Sequence, residues 1–166
     1  WQPKSRLLLT EMVNRERGEC FFATFDAVNF PTVTFANIIK SCGKEARGFA
    51  QMNLSGTGLY FVDLDALGIS NELKYFDILT RDTRTILPSY ELPLGVRRFD
   101  LSPSAEKILY RRDEQGQPSR YYVYDLQSRE HTKLYEVAEY INASDMDWID
   151  EANVIIAQRG QLVRIN

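Results

Sequence analysis

The sequence is poor in the residues that build metal sites and nucleophilic catalytic sites. It has two Cys and a single His, His131, among 166 residues. A zinc site usually needs three or four Cys, His or carboxylate ligands close together, so none is expected. The Gly-x-Ser-x-Gly motif of many serine hydrolases is also missing. We therefore predict no catalytic residue, no metal site and no cofactor in this chain.

The sequence also lacks a basic excess and long apolar runs. It has 20 Lys and Arg against 23 Asp and Glu, a net charge of −3 and a pI near 5.3. Domains that bind nucleic acids usually carry a basic face, so no direct contact with nucleic acid is expected. No run of 18 apolar residues occurs, and no membrane span is predicted. The chain begins at Trp1 without a signal peptide, and we expect it to be a piece of a longer protein.

What the sequence does contain is a repeat of about 47 residues. Ser55 in "NLSG" corresponds to Ser102 in "DLSP", and Asp100 in "FDLSP" corresponds to Asp147 in "MDWID". A Ser-Pro or Ser-Gly pair marks a turn that leads into an apolar strand. We expect Asp100 and Asp147 to belong to these turns.

A second motif recurs downstream of the first. It is an apolar strand that ends on Asp. The strands "FFATFD", "LKYFD" and "YYVYD" end on Asp26, Asp77 and Asp125. An Asp side chain can accept hydrogen bonds from the backbone amides of the next residues and so form a turn. These three aspartates are predicted to shape the turns that follow their strands.

Each repeat therefore predicts about four short β-strands, rich in Val, Ile, Leu, Tyr and Phe. A period of 40 to 50 residues with four strands per unit is typical of a β-propeller. The predicted fold is all-β, with four-stranded antiparallel blades in one partial propeller domain over residues 1–166. The units are approximately 1–45, 46–92, 93–140 and 141–166, about three and a half blades. Only residues 136–141 could form a turn of helix.

The segment "FDLSPSAEKILYRR…YYVYDLQSREHTKLYE" resembles the blades of TolB-like propellers, which are related to those of the prolyl oligopeptidase group. Their usual pattern is a Ser-Pro-Asp-Gly turn, an apolar strand, an "xYxxDL" strand and a Thr-Gly-Glu-like turn. Ser102-Pro103 and Asp125-Leu126 match this pattern. Ser104-Ala105 stands in place of Asp-Gly, and Ser128-Arg129-Glu130 in place of Thr-Gly-Glu.

The resemblance implies a rigid disc that binds proteins, peptides or glycans. Relatives include periplasmic scaffolds, gating domains of peptidases and the sensor portions of membrane-anchored ToxR-type transcription regulators. We expect a non-catalytic binding or sensor module within a larger protein, extracytoplasmic and with a protein or peptide partner. Two alternatives stay open: an accessory propeller segment of a serine peptidase, and a half-propeller that completes its ring as a homodimer.

The two cysteines lie on either side of the turn at residues 29–31. In a hairpin symmetric about residue 31, Cys20 and Cys42 face each other at a separation that a disulfide can span. A disulfide would indicate an oxidising compartment such as the periplasm. The alternative is two free thiols in a cytoplasmic protein.

An acidic cluster surrounds Trp148 and could bind a cation or a basic peptide. It consists of Asp145, Asp147, Asp150 and Glu151. The alternative is a turn in which the aspartates hold the backbone.

Two further groups of residues are expected to be structural. Asp63 and Asp65 lie near Glu72, but their spacing does not fit a calcium loop. The remaining group is a run of tyrosines expected to pack between blades: Tyr121, Tyr122, Tyr124 and Tyr135.

Overall fold

The computed structural model describes residues 7–14, 16, 19–26, 36–40, 50–64, 71–88, 96–112, 117–137, 146–158 and 160–166. Every regular element in these residues is a β-strand. The strands are β1 (Leu7–Asn14), β2 (Glu19–Asp26), β3 (Ala36–Lys40), β4 (Ala50–Met52), β5 (Gly58–Leu64), β6 (Asn71–Asp77), β7 (Thr83–Leu87), β8 (Val96–Leu101), β9 (Lys107–Arg112), β10 (Arg120–Asp125), β11 (His131–Glu136), β12 (Met146–Asp150), β13 (Asn153–Gln158) and β14 (Gln161–Ile165). The all-β prediction is confirmed.

The strands form four antiparallel sheets that follow one another along the chain. The first sheet is β1-β2-β3, the second β4-β5-β6-β7, the third β8-β9-β10-β11 and the fourth β12-β13-β14. Within each sheet, every strand pairs with the strand next to it in the sequence. This up-and-down order needs only short connections, as the closely spaced turn residues predict.

The core lies between successive sheets. In β9, residues 108–111 are all buried, which means that both faces of the third sheet are covered. Strand β11 of the same sheet is mostly exposed. Burial thus falls from the inner strands to the last strand of the sheet, as expected where sheets are stacked side by side around a common centre.

The tyrosines of the third sheet alternate between its two faces, as side chains of a strand do. Tyr124 and Tyr110 pack towards the second sheet, in a core cluster with Leu73 and Leu87. Tyr121 is fully buried on the opposite face, in a cluster with Ile156 of the fourth sheet. One sheet therefore supplies aromatic side chains to two interfaces.

Asp100 and Asp147 lie within strands, which corrects the expectation that they belong to turns. Asp100 is in β8 and Asp147 in β12. The turn after β8 begins only at Ser102, whose backbone N–H donates to the Lys107 carbonyl at 2.9 Å. That closing bond places Asp100 on the strand side of the boundary.

The hairpin that contains Cys20 has a register one residue away from the symmetric one. Phe21 pairs with Lys40, whereas symmetry about residue 31 would place residue 41 opposite it. Cys42 lies outside the described residues, so the disulfide stays a prediction. Most of the segment expected to form a turn of helix, residues 138–141, also lies outside them, and its first residue, Glu136, ends β11.

Candidate binding surfaces

Polar side chains connect the first strands of three successive sheets. Gln51 of β4 donates from Nε2 to Asp100 Oδ1 at 2.6 Å and accepts from the Leu101 backbone N–H at 2.8 Å. Trp148 of β12 donates from Nε1 to the Asp100 carbonyl at 3.2 Å. Asp100 thus links the sheet before its own to the sheet after it, and the first strands converge at this point.

The pKa of the Asp100 carboxyl group is raised by its surroundings. Burial is the main cause that raises the pKa of Asp100 to about 6, and its hydrogen bond with the Asp147 carboxyl acts in the same direction. The Gln51 amide, which donates to the ionised form, opposes the rise in this pKa. In its protonated form Asp100 can donate to Asp147, which makes a carboxyl–carboxylate pair across the sheet junction.

The acidic cluster around Trp148 is used largely within the fold. Asp150 Oδ1 accepts from the Ala152 backbone N–H at 2.8 Å, and both its carboxylate oxygens accept from Asn153 Nδ2 at 2.8 Å. The bond from Asn153 is the largest cause that lowers the pKa of Asp150. Glu151 accepts from the Ser104 backbone N–H and from Ser104 Oγ, the latter at 3.0 Å.

The bonds to Glu151 join the turns of two successive sheets. Ser104 and Glu151 lie 47 residues apart, which is the length of one repeat. Asp145 lies outside the described residues. These contacts favour a structural use of Asp150 and Glu151, and the binding of a cation or basic peptide there stays a prediction.

The aspartates that close the third strand of two sheets hold the turns that follow. Asp77 Oδ1 accepts from the backbone N–H groups of Leu79 and Thr80 at 2.8 and 3.0 Å. Asp125 Oδ1 accepts in the same way from residues 127 and 128, at 2.9 and 2.8 Å. Backbone donors hydrogen-bond the ionised form and so lower the pKa of both carboxyl groups. Asp26 occupies the corresponding end of β2.

Four residues after each of Asp77 and Asp125 lies an arginine in a left-handed backbone conformation. Arg81 has φ 66° and Arg129 has φ 62°. Glycine adopts this conformation with less strain than any residue with a Cβ atom. In the TolB-like pattern a Gly stands at this place, and here an arginine stands there in two successive repeats.

A cleft between the third and fourth sheets, here called the Trp148 groove, has a volume of about 310 Å³. Its apolar wall is formed by Leu134 of β11 and by Trp148, Val154 and Ile165 of the fourth sheet. Polar and charged side chains, among them Lys107, Glu130 and Glu151, line the rest of it. An apolar floor with a few polar groups is the usual composition of a binding cleft.

A second cleft, here called the His131 groove, opens between the second and third sheets and has a volume of about 540 Å³. Its lining residues are Glu72, Thr85, Ile86, Pro88, Tyr124, Arg129 and His131. It differs from the Trp148 groove because polar side chains form more of its wall. Apart from the single histidine, no sequence pattern indicates this cleft.

His131 is held in a fixed orientation at the wall of this groove. Its Nδ1 atom lies 2.8 Å from the hydroxyl oxygen of Tyr110, a buried residue. The His131 ring centre lies 4.7 Å from that of Tyr124 and 6.0 Å from that of Tyr110. Two aromatic neighbours and one hydrogen bond thus fix the plane of the imidazole.

The part of the chain that the structure describes contains no group of three or more His, Cys, Asp or Glu side chains that could hold a metal ion. Within the same residues, no helix has the length and apolarity needed to cross a membrane.

No protein-family model and no curated protein sequence matches the chain. Solved structures match its fold. TolB from Acinetobacter baumannii has a TM-score of 0.68 and 15% identity, over 97% of this chain and 39% of that one. The β-propeller domain of the Trilobed protease from Pyrococcus furiosus has a TM-score of 0.55 and 14% identity, over 98% and 54%. An oligogalacturonate lyase in complex with manganese has a TM-score of 0.63 and 12% identity, over 96% and 46%.

The chain spans between 39% and 54% of the length of these three proteins. At such low identities the similarity shows the fold. It agrees with the four meandering sheets, the buried interfaces between them and the repeat in the sequence. The chain is built of β-propeller blades like those of TolB and of peptidase propeller domains, as the sequence predicts.

Proposed function

We propose that this chain is a non-catalytic module that binds a protein or peptide segment in the Trp148 groove. The observation that carries the proposal is the apolar cleft between the third and fourth sheets, which Leu134, Trp148 and Ile165 line. An apolar cleft that is open to solvent is a common place for a partner's side chain to insert.

The strand beside this groove favours an extended peptide as the partner. Among the described residues, β14 pairs only with β13. Leu162 on the same strand is 72% exposed. An extended peptide can pair with the edge of a strand and place alternate side chains in a neighbouring pocket.

The test is selection of peptides from a random displayed library against the purified chain, followed by affinity measurements with groove variants. Leu134→Glu places a charge in the groove, and Leu79→Glu is the matched control, because Leu79 is 79% exposed in a turn of the second sheet. We expect Leu134→Glu to weaken binding roughly tenfold or more and Leu79→Glu to leave it unchanged. Selected peptides that bind both variants as they bind the natural chain would contradict the proposal.

We further infer that this module is the extracytoplasmic sensor part of a membrane-anchored ToxR-type regulator, whose DNA contacts lie in another part of the protein. The resemblance of the blades to TolB-like repeats and the acidic balance of the chain support this. The full-length reading frame tests it. A DNA-binding domain and a membrane span encoded upstream are expected, and a cytoplasmic protein with neither would contradict it.

The second candidate is an accessory propeller of a serine peptidase. Similarity to the propeller domain of the Trilobed protease supports it. It requires an α/β-hydrolase domain with its own nucleophile elsewhere in the same reading frame, and the lack of such a domain would exclude it.

A further inference from the structure

The His131 groove combines a cationic side and an apolar side in one cleft. It lies between the second and third sheets, whereas the Trp148 groove lies between the third and fourth, so it is a second surface with a different chemistry. Its volume of about 540 Å³ is within the range of about 300–1,000 Å³ that is usual for small-molecule sites.

The cationic side is formed by Arg129 in a rigid turn. Asp125 accepts the backbone N–H groups of residues 127 and 128, and the Arg129 N–H donates to the Asp125 carbonyl at 2.9 Å. The turn therefore fixes the backbone of Arg129 beside the groove. A guanidinium group is suited to a carboxylate, which it can bind through two parallel hydrogen bonds.

His131 adds a second polar group to the same side. Its ring is fixed by the Tyr110 hydroxyl at 2.8 Å and by the Tyr124 ring. When the Tyr110 hydroxyl donates to Nδ1, the proton of the neutral imidazole is on Nε2, which is then a donor. Arg129 and His131 thus bring donor groups to one wall of the groove.

Among the described residues, Glu72 is the carboxylate that lines the groove, and it pairs with a lysine that Asp63 shares. Glu72 Oε2 lies 3.2 Å from Lys74 Nζ, which also pairs with Asp63 at 2.5 Å. The Arg129 side chain has no comparable carboxylate among the described residues. The side of the groove that the third sheet forms therefore carries the positive charge of Arg129, and this charge favours an anion on that side.

The opposite side of the groove has apolar surface beside the polar side chains of Glu72 and Thr85. Ile86 and Pro88 of the second sheet face the cleft, together with the Tyr124 ring of the third. An inorganic anion would leave this surface exposed to water, whereas an acid with an apolar body would cover it.

We propose that the His131 groove binds an organic carboxylate with an apolar body. Arg129 and His131 bind the carboxylate, and Tyr124, Ile86 and Pro88 surround the apolar body. The carboxylate can belong to a free small acid or to the C-terminus of a peptide.

The test measures binding of N-acetylphenylalanine and of its uncharged amide by nuclear magnetic resonance titration of the isotope-labelled chain. We expect the acid to shift the signals of residues that line the groove, and the amide to bind roughly tenfold more weakly or not at all. Equal binding of acid and amide, or no binding of the acid up to about 10 mM, would overturn the proposal.

Arg129→Gly is the decisive variant, because it removes the charge at a position where glycine relieves backbone strain, so the fold is retained. We expect this variant to lose roughly tenfold or more in affinity for the acid. Arg81→Gly removes the same charge from the corresponding turn one repeat earlier and serves as the control, with affinity unchanged. Affinities that are equal in both variants would overturn the proposal.

A further pair of probes separates the two sources of the carboxylate. One is a short peptide that ends in phenylalanine, and the other is the same peptide with a C-terminal amide. Tighter binding of the free-ended peptide than of N-acetylphenylalanine indicates a peptide terminus, and weaker binding indicates a small acid. In either case, the proposal requires that Arg129→Gly weakens the binding of both ligands.

Discussion

The Asp147 carboxyl group acts on the Asp100 carboxyl group across the junction between the third and fourth sheets and helps to raise the pKa of Asp100. The two residues occupy the same place in successive repeats, within the first strand of their sheets. The pair is thus a direct product of the repeat: two like residues meet because two like sheets are neighbours.

This pair makes stability depend on pH in a defined direction. The pKa of Asp100 is about 6 in the folded chain against an ordinary value of 3.8. The folded chain therefore binds more protons than the unfolded chain between these values, and this contribution to stability falls as the pH rises from about 4 to about 6. Asp100→Asn keeps the hydrogen bonds and removes the charge. At pH 7.5 we expect it to raise the free energy of unfolding by about 1–2 kcal/mol, after allowance for solvent screening.

The measurement is chemical denaturation of both proteins at several pH values. The difference between them is expected to vanish below about pH 4 and to grow up to about pH 7. A difference that does not change with pH would show that Asp100 does not hold a proton in the folded chain.

Replacement of Ala105 by glycine is expected to stabilise the folded chain. Its φ is 57°, in the turn between β8 and β9, and glycine relieves that strain at some cost in unfolded-chain entropy, which leaves a net gain of about 0.5–1 kcal/mol. Ala152, in the corresponding turn of the fourth sheet, is not among the described residues with positive φ. Ala152→Gly is therefore the control and is expected to be neutral or destabilising. Equal effects in thermal unfolding would refute the strain at residue 105.

Gly58 is required by the close approach of an aromatic ring. A Cβ atom at this position would lie 1.9 Å from the hydroxyl oxygen of Tyr75. That ring is held by Tyr60, 4.9 Å away between ring centres, and by the Arg84 guanidinium, 4.9 Å from the ring centre. Gly58→Ala is therefore expected to destabilise the chain by about 1–3 kcal/mol.

A double-mutant cycle checks the cause of this destabilisation. In a Tyr75→Ala background the clash is gone, so Gly58→Ala should cost much less than it does in the natural chain. An equal cost in both backgrounds would mean that the ring is not responsible.

The strands and their grouping could be predicted from the sequence because they depend on local patterns. Apolar segments that end on Asp77 and Asp125 repeat with a constant spacing, and each ends a strand in the structure. The exact place of Asp100 could not be predicted in this way. Whether it belongs to the strand or to the turn depends on the bond between Ser102 and Lys107, and the sequence pattern does not reveal that bond.

The candidate surfaces were harder to predict because they depend on contacts between sheets. Nothing in the sequence around Gln51 indicates that its side chain hydrogen-bonds to Asp100 and Leu101, which lie 49 and 50 positions later in the chain. His131 is recognisable in the sequence as the single histidine, but its contact with Tyr110 requires the folded third sheet. The bond between Ser104 and Glu151 is different, since the two residues are one repeat apart and alignment of the repeats could have suggested it.

The most direct test of the proposed binding function is hydrogen exchange of the chain with and without a peptide selected from the displayed library. Slower exchange is expected in β14 and in the segments that line the Trp148 groove, including β11, with little change in the second sheet. Slower exchange elsewhere, or no change upon saturation with peptide, would contradict the proposal that this cleft between propeller blades is the binding site.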